Sequence, residues 1–192
     1  KDIVKKEKFG PVQGILFDLG YCSWHLEKSE RGFSFLINES LDMRYDPQSI
    51  LTAEKIINSW PEKEIETILR ELGEERFAKR IARGIISQRT VNPIKTTFQL
   101  IEAIKKAVPF WYQRKKIHFA TKTFQALRIT VNNELDNLKE ALPQALEILE
   151  PGGRLVVISF HSLEDRIIKN FFKSLAKEGS LKILTKKPVI PT

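Results

Sequence analysis

Two short apolar runs stand apart from a chain otherwise patterned with the period of helices. Val12 to Leu19, V-Q-G-I-L-F-D-L, follows Gly10-Pro11, and Arg154 to Phe160, R-L-V-V-I-S-F, follows the turn residues Pro151-Gly152-Gly153. Runs of this length, rich in Ile, Val, Leu and Phe and bounded by turn signals, predict buried strands. A shorter one is expected at Leu181 to Leu184. The first two strands are more than a hundred residues apart and both end in polar residues, which predicts neighbours in one parallel sheet with helices between them. Two or three strands cover neither their edges nor both faces, so the sheet reads as incomplete.

The intervening pattern is helical. Thr52 caps a helix carrying Ile56 and Ile57, and Pro61-Glu62 starts another with Ile65, Ile68, Leu69 and Leu72 on one face, stopped by Gly73. Glu74 to Gln88 sets Phe77, Ile81 and Ile85 on one stripe and Arg76, Arg80 and Arg83 on another. Thr96 or Thr97 opens a helix that ends at Pro109. Ala120 to Leu149 reads as one or two long helices packed against the sheet, with Pro143 at a bend or a new first turn. The last helix runs from Ser162 to about Lys177, and Lys1 to Lys8 is the end of a helix or a loose tail. Gly20 to Asp46 has no period but holds Tyr21, Trp24, Phe33 and Phe35 among many charges. A loop of that length is functional or disordered, and its aromatics argue against disorder.

Composition narrows the partners. Among 192 residues the formal charge is +8, which points to an anionic partner, with nucleic acid ahead of a membrane surface. Cys22 is the only cysteine, no Cys/His spacing suggests zinc, and no apolar run reaches the roughly 20 residues of a membrane span. These features predict a soluble cytoplasmic protein with neither metal nor disulfide. The chain opens on K-D-I-V-K-K-E-K without an initiator Met, and is expected to begin partway through a larger protein.

Candidate chemistry gathers at the strand ends, where open α/β sheets bind ligands. Asp18 ends the first strand; it either needs hydrogen-bond donors to sit in an apolar run or caps the turn through the N–H of Gly20 or Tyr21. Ser159 to Ser162 follow the second strand. There Ser162 and Asp165 read first as helix-capping residues, Ser162 accepting from the Asp165 N–H, and His161 is left open. The Arg76, Arg80 and Arg83 stripe either meets phosphates or is simply solvated. Phe110-Trp111-Tyr112-Gln113-Arg114-Lys115-Lys116 sets three aromatics beside three cations, as in single-stranded RNA binding, or is a packed loop between helices.

Several collinear stretches together resemble one family, the RsmH (MraW) methyltransferases: G-I-L-F-D-L-G at 14–20, E-R-G-F-S-F at 30–35, L-D-M-R at 41–44, G-E-E-R-F-A-K-R-I-A-R at 73–83, T-F-Q-A-L-R-I at 123–129, V-N-N-E-L at 131–135, P-G-G-R-L-V-V-I-S-F-H-S-L-E-D-R at 151–166 and L-T-K-K-P at 184–188. The resemblance implies an α/β fold: a partial class I, Rossmann-like methyltransferase sheet (1–44 and 121–192) with an inserted all-helical RNA-recognition domain at 45–120. It implies S-adenosyl-L-methionine as cofactor, methylation of the exocyclic N4 of a cytosine in the decoding region of 16S rRNA, and the small ribosomal subunit as partner, without DNA or membrane. Asp18 and His25 are then expected to face the cofactor, Ser159 and His161 to line the base pocket, and Arg76, Arg80, Arg83, Arg114, Lys115 and Lys116 to bind RNA. Family members usually carry Gln at the position of His25, Val-Ser-Ser-Pro in place of Tyr21 to Trp24, and a proline in place of Phe119. The family's Gly-Gly-His loop, its ribose-binding acidic residue and an aromatic cofactor contact have no counterpart in this sequence, and neither has its Arg/Ser-rich tail. A chain lacking that cofactor-binding half is expected to be inactive alone. The rival expectation is a non-catalytic RNA- or ribosome-binding remnant of the same fold. Oligomeric state is not legible.

Overall fold

The computed structural model describes residues 2–185 and 187–190, so Lys1, Lys186, Pro191 and Thr192 of the terminal charged and proline-containing segments lie outside the described residues. These residues divide into two compact units: residues 1–20 with 135–192, and residues 21–134. The boundaries differ from the 44/45 and 120/121 read from the sequence. The reason is packing: Phe33, Leu41 and Met43 on one side, and Phe124, Leu127 and Val131 on the other, all belong to the hydrophobic core of the second unit.

The first unit holds a short helix α1 (Asp2–Lys6), strand β1 (Val12–Asp18), helix α9 (Glu134–Ile148, whose first residue falls in the other unit), strand β2 (Leu149–Ile158) and helix α10 (Ser162–Lys177). β1 and β2 pair in parallel, with Gly14 opposite Arg154 and Asp18 opposite Ile158. The predicted neighbour relation is therefore observed. Pro151-Gly152-Gly153 is not a turn before the strand but lies inside β2. The register breaks between Val12 and Gly14 because the extra residues bulge there, with Gly152 at φ +83°. The expected strand at 181–184 does not form, and among the described residues the sheet has two strands.

Alternation along the strands sorts their side chains into two faces. Phe17, Leu155 and Val157 pack with Leu138 and Leu142 of α9 and Ile168 of α10. The other face is bare, with Leu16 at 61% and Val156 at 53% of full exposure. At ~25 cal/mol per Å2 such apolar area is worth covering, and the described residues of this unit leave it open.

The second unit is helical and carries most of the buried side chains. It contains α2 (Ser23–Glu27), α3 (Ala53–Ser59), α4 (Glu62–Glu71), α5 (Ala78–Val91), α6 (Thr97–Ala107), α7 (Phe110–Gln113) and α8 (Thr121–Asn132). The caps read from the sequence hold: Thr52 accepts from the Lys55 N–H, and Thr96 forms a capping box with Gln99. α5 starts four residues later than expected, because residues 74–77 make a turn in which Glu74 takes φ +48°. The Ala120 to Leu149 pattern is two helices, since Asn133 at φ +49° ends α8 by turning left-handed. The second of them packs on the sheet, and Phe124 and Leu127 of α8 join the helical core. Pro143 sits inside α9.

The long loop between α2 and α3 is ordered by its own polar residues. Arg44 grips Asp42 with two hydrogen bonds of 2.7 Å and donates to the carbonyls of Pro47 and Ser49. Asn132 of α8 donates to the Met43 carbonyl and accepts from the Tyr45 N–H at 2.8 Å. The aromatics Phe33 and Phe35 pack into the core, which is why a chain segment without period is nevertheless fixed.

Candidate functional site

In the first unit, the pairing of Asp18 with Ile158 sets the carboxyl ends of both strands side by side, and the Leu19 N–H extends the ladder to the Ile158 carbonyl at 3.1 Å. Asp18, Ser159 and His161 thus share one edge of the sheet. Asp18 is solvent-exposed, so it does not need the buried hydrogen-bond donors that are one of the two expectations for it. Gly20 at φ +88° turns the chain directly after it.

The start of α10 corrects the capping assignment. His161, not Ser162, is the N-cap: its Nδ1 accepts from the Glu164 N–H at 3.5 Å, and Ser162 is already helical. Glu164 is 3% exposed; its Oε2 accepts from the Phe160 N–H at 2.9 Å while its Oε1 lies 3.3 Å from His161 Nε2. Shifting the cap by one residue brings this buried carboxylate under the end of β2, beside a buried His161 Nε2 that has no hydrogen-bond partner among the described residues. A cleft of about 470 Å3 lies along β1 and α9 among Phe9, Val12, Ile15, Ala141 and Ala145, away from these strand-end residues.

His25 belongs to the second unit. It lies in α2, its Nδ1 accepts from the Cys22 N–H at 3.4 Å, and Cys22 Sγ is 3.3 Å away. That assignment puts the proton of the neutral ring on Nε2. Phe33 and Tyr45, stacked at 5.5 Å, each meet the imidazole edge-on at 5.2 Å. Partial burial, and then the positive charge of Arg31, hold its pKa below the ordinary histidine value. Tyr45 Oη in turn donates to Glu134, which also takes two hydrogen bonds from Arg128, and the Arg128 guanidinium lies 4.5 Å over the Tyr21 ring. Burial alone depresses the Arg128 pKa, but Glu134 outweighs it and the cation is held charged. Burial, followed by the Glu134 charge, pushes the Tyr45 phenol well above its usual range. Nothing local in the sequence signals the Tyr45–Glu134 contact, whose partners are 89 residues apart, although Arg128 and Glu134 are six apart.

The cationic residues divide. Arg83 pairs with Glu62 at 3.2 Å and Lys116 is exposed. Arg76 and Arg80, however, meet the aromatic segment that the sequence presents separately. Both guanidinium groups lie 5.8 Å from the Phe77 ring, and Arg76 lies 5.9 Å from Trp111. Lys115 is 5.3 Å from the Trp111 and Tyr112 rings, and Arg114 stacks on Phe110 at 4.2 Å. Beneath them Glu75, 3% exposed, accepts from Tyr112 Oη at 2.8 Å and from the Phe77 N–H at 2.8 Å.

The sequence model of the MraW methylase family matches residues 1–192. The chain belongs to that family. It is 52% identical over 184 residues to the "Ribosomal RNA small subunit methyltransferase H" of Kosmotoga olearia, covering 94% of this chain and 60% of the relative. Proteins of the same name from Heliobacterium modesticaldum and Brevibacillus brevis are 48% and 46% identical, over 94% and 100% of this chain and 63% and 66% of their own lengths. The chain therefore spans about two thirds or less of the length of these relatives. Among the described residues no helix is long and apolar enough to cross a membrane.

Proposed function

We propose that this chain is the larger part of an enzyme that transfers a methyl group from S-adenosyl-L-methionine to the exocyclic N4 of a cytosine in 16S rRNA of the small ribosomal subunit. The observation that carries the reading is the strand-end edge, where the parallel pair sets Asp18 opposite Ile158, the residue before Ser159, in a chain of this family. In this reading the two strands are part of a wider Rossmann-like sheet, and the bare face of Leu16 and Val156 is where its remaining layers pack. Residues 45–120 serve as the helical RNA-recognition part.

An exposed carboxylate beside a positive-φ glycine suits a cationic donor that must approach the backbone closely. When bound, the cofactor supplies an electrophilic methyl on a sulfonium. Asp18 contributes a negative charge that orients the donor, and its carboxylate is suited to accept a hydrogen bond from the cytosine amine as positive charge develops there. Positioning of two weakly reactive partners accounts for most of the rate. His25 presents Nε2–H as a donor, the role a glutamine amide plays at this position in the family. Ser159 and His161 line the base pocket, with the imidazole held through its Nδ1 by the Glu164 N–H. Arg76, Arg80, Arg83, Arg114, Lys115 and Lys116 supply cations toward the RNA backbone. The test is label transfer from methyl-tritiated cofactor to purified small subunits by the protein at its relatives' full length, followed by nucleoside digestion. Label in N4-methylated cytidine supports the reading; label in another nucleoside, or none, refutes it.

A further inference from the structure

We propose that Trp111 and the cations around it form a stacking site for an unpaired RNA base. This deepens the RNA reading above and rests on it. Trp111 is 51% exposed and Phe110 64%, an arrangement that costs hydration free energy unless a partner covers the rings. The Glu75 carboxylate ties the turn before α5 to α7 through the Phe77 N–H and the Tyr112 hydroxyl, so Arg76 and Trp111 are held at fixed separation before any ligand arrives.

The two aromatic positions differ. Arg114 already lies on Phe110 at 4.2 Å, whereas the cations near Trp111 stand at 5.3 and 5.9 Å, close to the outer limit of a cation–π contact. At 51% exposure the indole keeps surface to offer, and Arg76 and Lys115, held only loosely over the ring, supply positive charge beside it. A planar base flanked by phosphates matches that combination: the base stacks and the phosphates meet Arg76, Arg80 and Lys115. A duplex hides its base faces and offers phosphates alone. An acidic protein segment satisfies the cations but leaves the indole face without a planar partner.

The test titrates the 192-residue chain with a fluorescently labelled, unstructured 12-nucleotide RNA, an RNA duplex of equal phosphate count, and polyglutamate. Wild type is compared with Trp111→Ala and with an Arg76→Gln/Arg80→Gln variant, all checked for folding by circular dichroism. The expected result is tighter binding to the single strand than to the duplex, with roughly a tenfold to hundredfold loss in Trp111→Ala at unchanged salt slope, the range of one base–aromatic stack. The arginine variant is expected to lower the slope of log K against log salt by about 0.7 per lost phosphate contact. Equal affinity for single strand and duplex, an unaffected Trp111→Ala, or polyglutamate binding as tight as RNA overturns the proposal. If the full-length protein transfers no methyl group while this pattern holds, it is the catalytic reading that fails and not the stacking site.

Discussion

Replacing Tyr112 by Phe isolates one buried hydrogen bond that holds the aromatic patch in place. The ring is 8% exposed and packs edge-on against Phe77 at 4.9 Å, so the substitution changes almost no apolar burial. What it removes is the Oη donor to Glu75, whose carboxylate is 3% exposed and keeps only the Phe77 N–H at 2.8 Å among these partners. A hydrogen bond to a charged group contributes about 1.5–3 kcal/mol, and a carboxylate left underpaired in the interior sets the cost toward the upper part of that range, about 2–3 kcal/mol. For a chain of this size that corresponds to a fall in Tm of roughly 4–12 °C. Thermal melts at pH 7 read the shift directly, and a double-mutant cycle with Glu75→Gln isolates the pair, with an expected coupling of about 1.5 kcal/mol or more. The linked pH dependence has a definite sign. Burial, and then the hydrogen bond and charge of Glu75, raise the Tyr112 pKa above the unfolded value near 10; its contribution is full below that value and fades as pH rises toward the folded one. A Tm change under about 1 °C, with no coupling in the cycle, would refute the reasoning.

Two further substitutions probe other parts of the molecule. Gly32 takes φ +74°, and a Cβ there would overlap the Ser40 carbonyl; Gly32→Ala is expected to destabilise the second unit by roughly 2–4 kcal/mol in urea unfolding, with Gly10→Ala, where a Cβ meets nothing, as the neutral control. His25, depressed by burial and by Arg31, is expected to titrate below 6.5 by NMR; its contribution to stability is complete above that unfolded value and is lost as pH falls through the folded one, a dependence that His25→Gln abolishes.

What the sequence reveals of this molecule is what is local or periodic. The caps at Thr52 and Thr96 lie within three residues of the N–H groups they satisfy, and the two parallel strands carry their own apolar signature and polar ends. Alignment of Asp18 with the end of β2 follows from that pairing alone. The cap of α10 is misread by one residue because the deciding contact, Glu164 with the Phe160 N–H, competes with the local preference for serine. The strand expected at 181–184 fails for a different reason: an apolar spacing does not supply the neighbouring edge a strand needs. The buried polar networks are silent in sequence because their partners are distant. Glu75 and Tyr112 are 37 residues apart, and the convergence of Arg76 on Trp111 depends on how α5 and α7 pack rather than on any motif. The Glu134–Arg128–Tyr45 group is hidden likewise, although V-N-N-E-L places the left-handed Asn133 that turns Glu134 back onto α8.

In the proposed reaction the strand-end edge holds the methyl donor and its acceptor amine. Its most direct test is the initial rate of tritium transfer from S-adenosyl-L-methionine to small-subunit RNA by the protein at its relatives' full length, with Asp18→Ala beside wild type. The account predicts transfer by wild type and a fall of about a hundredfold or more in Asp18→Ala, the loss expected for one group that stabilises developing charge. Undiminished transfer by Asp18→Ala would contradict it.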